Sequence, residues 1–177
     1  MHIKIACFTG HRYQSFRFGD NEKHRECVRL KKALRKEIIN LVKKRSIKHF
    51  ISGMALGVDI WCAEIILRLK KRYRDITLEC ALPCAAQSRY WSEEQRQRYY
   101  DILAYADRVS KISERYHRGC MMERNRYMVD KSEIVLAVWN GKPHGGTYNT
   151  LRYAVKKRKR IIILNPLGRR EKTPPNA

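Results

Sequence analysis

Two hydrophobic rhythms alternate along this chain. Short apolar runs at His2 to Phe8, Lys48 to Ile51, Ile76 to Leu82, Arg108 to Ile112, Ile134 to Trp139 and Ile161 to Leu164 read as strands. Between them, apolar residues recur every third or fourth position, as on one face of a helix. The first such stretch, from about Glu22 to Lys44, carries Cys27, Leu30, Leu34, Ile38 and Leu41 as one stripe, with Asp20 or Asn21 placed to cap it. Further helices are predicted from the SGMALGVD segment (Ser52 to Asp59) to about Tyr73, from Ser92 to about Ala106, from Gly119 to Lys131, and after NGKPHGGT to about Lys157. Ser92 followed by Glu93, Glu94 and Gln95 is a capping box. Pro83 stops the third strand.

Strand and helix in strict alternation predict a parallel sheet, because parallel neighbours require crossover connections and helices supply them. The expected fold is α/β: a single Rossmann-like domain over residues 1–167, with a mostly parallel sheet of about six strands flanked by helices on both faces. Residues 168–177 read as a flexible polar tail. Ligands of such sheets sit beyond the carboxyl ends of the strands. Three glycine-bearing turns fall at that edge: Thr9-Gly10-His11-Arg12, SGMALGVD, and the turn containing Gly145-Gly146-Thr147.

Composition narrows the class. No apolar run is long enough to cross a bilayer, and no leader pattern follows Met1, so a cytoplasmic protein without a membrane partner is expected. The six cysteines form no C-x-x-C pair and have no histidines at zinc spacing, which predicts reduced core thiols and no metal site. The net charge of +22 stands out and invites a polyanion. Much of it, at Lys43 to Arg45, Lys70 to Arg72 and Lys156 to Arg160, sits at predicted helix C-termini, where cations complement the helix dipole on the edge away from the glycine turns. Arg12, Arg17, Arg89, Arg118, Arg124, Arg126 and Arg152 are placed nearer the ligand edge.

The candidate chemistry is that of a phosphate cradle. Glycines at a strand–helix turn let backbone N–H groups approach an anion at a helix N-terminus. The candidate nucleotide-binding set is Thr9, Gly10, Arg12, Ser52, Gly53, Gly57, Asp59, Asn140, Gly145, Gly146 and Thr147. Asp59 suits ribose hydroxyls, with a dipole-stabilising first-turn acid as the alternative. Arg12 suits bidentate phosphate binding, with a solvated loop arginine as the alternative. Trp61, Trp91 and Trp139 read first as core, and Trp91 is the best placed of them for stacking.

These turns carry a resemblance. SGMALGVD is similar to the SGxAxGxD turn of the DprA/Smf proteins, and Gly145-Gly146-Thr147 to the second half of the PGGxGT motif of the Lonely Guy proteins, two groups of the SLOG superfamily. TGHR, GVDIWCAE, Tyr90-Trp91, RNRYMVDKS and AVWNGKPHGGTYNTLRYA together resemble the YpsA-like branch of that superfamily, over roughly residues 5 to 165. The resemblance implies a pocket for a nucleotide-derived small molecule such as NAD or ADP-ribose, and a sensor or regulatory module acting through a protein partner in cell-division or stress physiology. It implies no reaction. A DprA-like role in nucleic-acid binding through the basic surface is the second reading. A nucleotide hydrolase is the third. The glutamate that follows the Lonely Guy motif is absent, since Tyr148-Asn149-Thr150 stands there, so a hydrolase would need Asp59, Glu64 or Glu123 as its carboxylate. Asp59 is the best catalytic candidate among them.

Overall fold

The computed structural model describes residues 3–171. Its elements run in the order β1 (Lys4–Gly10), a 3-10 turn (Tyr13–Ser15), α1 (Arg25–Arg45), β2 (Ile47–Ser52), α2 (Val58–Lys70), β3 (Thr77–Leu82), α3 (Glu93–Tyr105), β4 (Arg108–Lys111), α4 (Cys120–Lys131), β5 (Ile134–Val138), α5 (Gly145–Lys156), β6 (Arg160–Leu164) and β7 (Arg170–Glu171). The sheet order is β4-β3-β2-β1-β5-β6-β7, and every pairing is parallel except the last. The expected parallel α/β sheet is therefore present, with one short antiparallel strand added. That strand lies in the segment read as tail; residues 172–177 lie outside the described residues, as does His2 of the first predicted strand.

The alternation of side chains along β1 divides the core. Ala6 and Phe8 face a layer built from Leu30, Leu34 and Ile38 of α1, Trp61 and Ile66 of α2, and Tyr99 and Ile102 of α3. Cys7 faces the other way, with Val135 of β5, and packs against Met128 and Val129 of α4 and Ala154 of α5. Both faces are thus buried, which is why the strands read as apolar runs rather than as an alternation. All six cysteines are buried and free.

The first helix begins at Arg25, three residues later than the pattern suggests. His24 is its N-cap, with Nδ1 accepting from Glu26 N at 3.3 Å, while Asn21 Oδ1 accepts from Lys23 N in a turn. Glu22 is drawn out of the helix by tertiary partners. Its carboxylate accepts from Arg98 at 2.6 and 3.1 Å, from Trp61 Nε1 at 2.8 Å, from Tyr13 Oη at 3.1 Å and from Lys31 Nζ. Arg98 also grips Glu64 through two bonds of 2.6 and 2.9 Å. Burial pushes the Glu22 carboxyl up, but the hydrogen bonds from Arg98, Lys31 and Trp61 outweigh it and hold the group down at about 2. This cluster ties the β1–α1 connection to α2 and α3. Ser92 forms the predicted capping box, its Oγ accepting from Gln95 N at 3.2 Å and its N–H donating to Gln95 Oε1 at 3.1 Å.

Candidate functional site

The connection out of β1 crosses over α1 to β2 on one side, while β5 lies on the other side of β1. Chain direction across the sheet reverses between these two strands, and the crevice outside their carboxyl ends is where doubly wound sheets take ligands. A cavity of about 340 Å³ occupies that crevice. It is walled by Thr9 and Gly10 at the end of β1 and Arg12 just after it, by Asp59 in the first turn of α2, by Arg124 and Asn125 of α4, by Asn140 after β5 and by Gly145 to Thr147 at the start of α5.

Eight of the eleven predicted residues therefore meet there, namely Thr9, Gly10, Arg12, Asp59, Asn140, Gly145, Gly146 and Thr147. Ser52, Gly53 and Gly57 do not line the cavity, and each is committed to holding its turn. Ser52 Oγ donates to Asp59 O at 2.9 Å and accepts from Met54 N at 3.2 Å. Gly57, at φ +96°, lies so close to the β1 loop that a Cβ would stand 2.7 Å from His11 O. At Gly53 a Cβ would stand 2.4 Å from Arg124 Nη1. Gly10 has a packing role as well, because a Cβ there would meet Val58 at 2.6 Å.

Arg124 is the residue whose role the sequence hides. It is 4% exposed, its Nη1 donates to Gly53 O and to Ala81 O at 3.4 Å, and its Nε donates to Asn125 Oδ1 at 2.8 Å. Asn125 Nδ2 donates to Thr150 Oγ1 at 2.9 Å, and that hydroxyl donates to Gly146 O at 2.8 Å. A polar chain thus runs from the β2–α2 turn through α4 to the first turn of α5. The placement of Arg124 near the ligand edge was legible in the sequence, but nothing in the RNRY segment marks Arg124 as the buried residue and Asn125 as its half-buried partner. Met121, Gln14 and Ser15 also line the cavity, and nothing in their local sequence singles them out.

The electrostatics divide the cavity in two. On one side Asp59 is 5% exposed; Oδ2 accepts from Ala55 N at 3.3 Å, and Oδ1 is buried with no hydrogen-bond partner among the described residues. Burial pushes its carboxyl up to about 6 against the opposing pull of Arg124, the Ala55 N–H and Arg12. On the other side α5 opens at His144 with no side-chain cap. Its first-turn N–H groups have no intrahelical acceptors and carry the positive end of the helix dipole. Arg12 stands exposed at the rim; among the described residues its side chain has no hydrogen bond or ion pair. His11 Nε2 accepts from Asn140 N at 3.0 Å, pinning the β5–α5 turn to the β1 loop, and burial lowers the pKa of its ring, consistent with a neutral acceptor. Asn140 Oδ1 is used within that turn, accepting from Lys142 N at 3.1 Å.

The other carboxylates considered for catalysis stand elsewhere. Glu64 pairs with Arg98, and Glu123 lies 3.3 Å from His117 on the surface, so Asp59 is the one of the three that reaches the cavity. Among the described residues no group of three or more histidines, cysteines or acids is arranged to hold a metal ion, and no helix is long and apolar enough to cross a membrane.

Comparison with known proteins agrees with this architecture. The profile of the YspA SLOG family matches residues 6–166. A UPF0398 protein of Halalkalibacterium halodurans is 31% identical over 158 residues, covering 88% of this chain and 82% of that protein. A UPF0398 protein of Bacillus cereus is 31% identical over 160 residues, covering 88% and 84%. Among solved structures, DNA processing protein A from Helicobacter pylori, described for its single-stranded DNA binding mode, superposes with a TM-score of 0.57 at 20% identity. That likeness covers 91% of this chain but 65% of the other, and it is a likeness of fold.

Proposed function

This chain belongs to the YspA SLOG family, and from that membership we propose that it binds a nucleotide-derived small molecule in the cavity at the carboxyl edge of its sheet. One observation carries the reading: the uncapped N-terminus of α5 and Asp59, whose buried Oδ1 has no hydrogen-bond partner among the described residues, belong to the wall of the same cavity. The first is a site for a phosphate, because the α5 N–H groups and the helix dipole both favour an anion. The second is an acceptor-only group awaiting donors, as sugar hydroxyls are, and an unpaired buried acceptor is unfavourable until a ligand supplies them. A phosphorylated ribose joins both chemistries in one molecule, and the cavity volume lies within the range of small-molecule sites. A binding module fits better than a hydrolase, since among the described residues Asp59 is the one carboxylate that lines the cavity. Such a module would report ligand occupancy to a protein partner.

Isothermal titration with ribose 5-phosphate, ADP-ribose and NAD tests the reading. Heat with at least one of them in the wild type, lost in Asp59→Asn while the thermal melt persists, is the expected result. Silence with all three would overturn it.

A second reading concerns nucleic acid. Arg126 of α4 and Arg152 and Lys156 of α5 line a groove of about 510 Å³ with Asn149 and Tyr153. Arg126 lies 5.6 Å from the Tyr153 ring and Arg152 5.9 Å from the Tyr148 ring, so cations and aromatic faces are interleaved as in single-strand binding surfaces. The fold relative's described binding of single-stranded DNA adds to this reading. Gel shifts at 50 and 200 mM salt, conditions taken as about those that separate phosphate contacts, with Arg126, Arg152 and Lys156 reversed to Glu, decide it. No shift at the lower salt would remove it.

A further inference from the structure

A second cavity, of about 440 Å³, adjoins the first and shares Arg12 and Gln14 with it. Its character is different. Where the first is bounded by a carboxylate and a helix N-terminus, this one is bounded by Tyr13, Leu56, Tyr90 and Trp91, with Asp20 and Gln95 at its polar positions. The two aromatic residues of the Tyr90-Trp91 pair are not equivalent. Trp91 is half-buried, packs against the core and makes a T-shaped contact with Tyr99, with centroids 5.3 Å apart at 81°. Tyr90 is 89% exposed, and the guanidinium of Arg89 lies 5.5 Å from its ring. Both residues of the pair line the cavity, and Tyr90 presents the freer ring. An exposed aromatic ring in a cavity that also carries the Arg12 guanidinium is chemistry for a base and a phosphate.

We infer that the second cavity is the subsite for the nucleoside half of a diphosphate-bridged ligand. Ribose phosphate occupies the first cavity, the diphosphate crosses the shared wall on Arg12, and the base stacks on Tyr90 with its edge toward Asp20 and Gln95. The guanidinium suits this bridge because it offers a planar fork of donors to two phosphates at once. The assignment rests on the reading of the first cavity as a phosphate and ribose site, and it names the class of ligand: a nucleoside diphosphate ester rather than a mononucleotide.

Ribose 5-phosphate and ADP-ribose separate the two claims, because the second is the first extended by a nucleoside monophosphate. In titrations of the full chain, ADP-ribose should bind at least about tenfold more tightly, the scale of one base stacked on an aromatic ring. Tyr90→Ala should remove most of that gain and leave ribose 5-phosphate unchanged, while Tyr90→Phe should retain it. Since Tyr90 is almost wholly exposed, neither substitution threatens the fold. Ribose 5-phosphate binding with no gain for ADP-ribose, or a gain that survives Tyr90→Ala, overturns the subsite and leaves the first cavity's reading standing. Binding of neither ligand overturns both.

Discussion

Gly53 and Gly146 look alike in sequence, each in a glycine turn before a helix, yet the structure assigns them opposite consequences on substitution. At Gly53 a Cβ would stand 2.4 Å from Arg124 Nη1, 2.6 Å from Arg124 Cζ and 2.8 Å from Asp59 Oδ2. Carbon contacts settle near 3.5–4 Å, so the guanidinium would have to retreat by roughly 1 Å. Arginine ends are usually mobile, but this one is 4% exposed and held by two backbone carbonyls and Asn125. Retreat gives up at least one charge-assisted hydrogen bond in a buried setting, about 1.5–3 kcal/mol. For a chain of this length each kcal/mol lowers the melting temperature by about 2–4 °C, so Gly53→Ala should melt roughly 3–12 °C below wild type. Around Gly146 a Cβ meets nothing within 4 Å. Gly146→Ala should therefore melt with wild type, while its methyl, at the cavity wall, weakens ADP-ribose binding at least about fivefold, the effect of losing one close phosphate contact. Circular dichroism melts and titration calorimetry on the pair supply the assay. A Gly53→Ala protein that melts with wild type but binds nothing would refute the reasoning, because Gly53 would then be a direct ligand contact and not the seat of Arg124.

Three further outcomes follow from the buried groups. Affinity for a ligand whose hydroxyls donate to Asp59 should fall between pH 7.5 and 5, because the carboxyl takes up its proton near pH 6; unchanged calorimetric affinity over that range would remove Asp59 from the site. The sign for stability is opposite: the folded value lies above the ordinary 3.8, so the contribution of Asp59 is fully present below that value and is lost as pH rises through about 6. Glu22→Gln should destabilise the protein at pH 7 by about 1–2 kcal/mol, given its partly exposed network. Glu22 is held at about 2 against an ordinary 4.5, so the gap from wild type in acid melts should persist above pH 4.5 and close as pH falls toward 2. Finally, the six cysteines should resist a thiol reagent in the native protein and all react after denaturation, since every one is buried and burial pushes Cys7 and Cys80 up to about 12; rapid native labelling would contradict the described packing.

Much of the fold was legible because its signals are local. The unbroken run Ile134–Val138 announces a strand covered on both faces. Ser92 and Gln95 announce a helix start through two reciprocal bonds spanning three residues. The apolar stripe of α1 needs only its own spacing to be read. The two-residue β7 had no such signal, since Arg170 and Glu171 are polar and their pairing with Leu164 and Ile163 is supplied by the neighbouring strand. The start of α1 was misplaced for the same reason. Helix propensity favours Glu22, but Arg98, 76 residues away in sequence, claims its carboxylate.

For the site, the sequence by itself determined the edge of the sheet and the residue types brought to it: glycine turns, Asp59 and Arg12, each recognisable from its place between a strand and a helix. Tertiary structure alone decided what each residue does there. It put the cavity between β1 and β5, which only strand order can do. It turned Gly10, Gly53 and Gly57 into packing positions, left Gly146 open, buried Arg124 against a carbonyl 71 residues distant, and exposed Tyr90 while covering Trp91. The physical reason is common to all of these. A backbone turn is encoded by the residues that make it, whereas the space beside a glycine, the partner of a charge and the freedom of an aromatic face are properties of neighbours that the chain reaches only by folding.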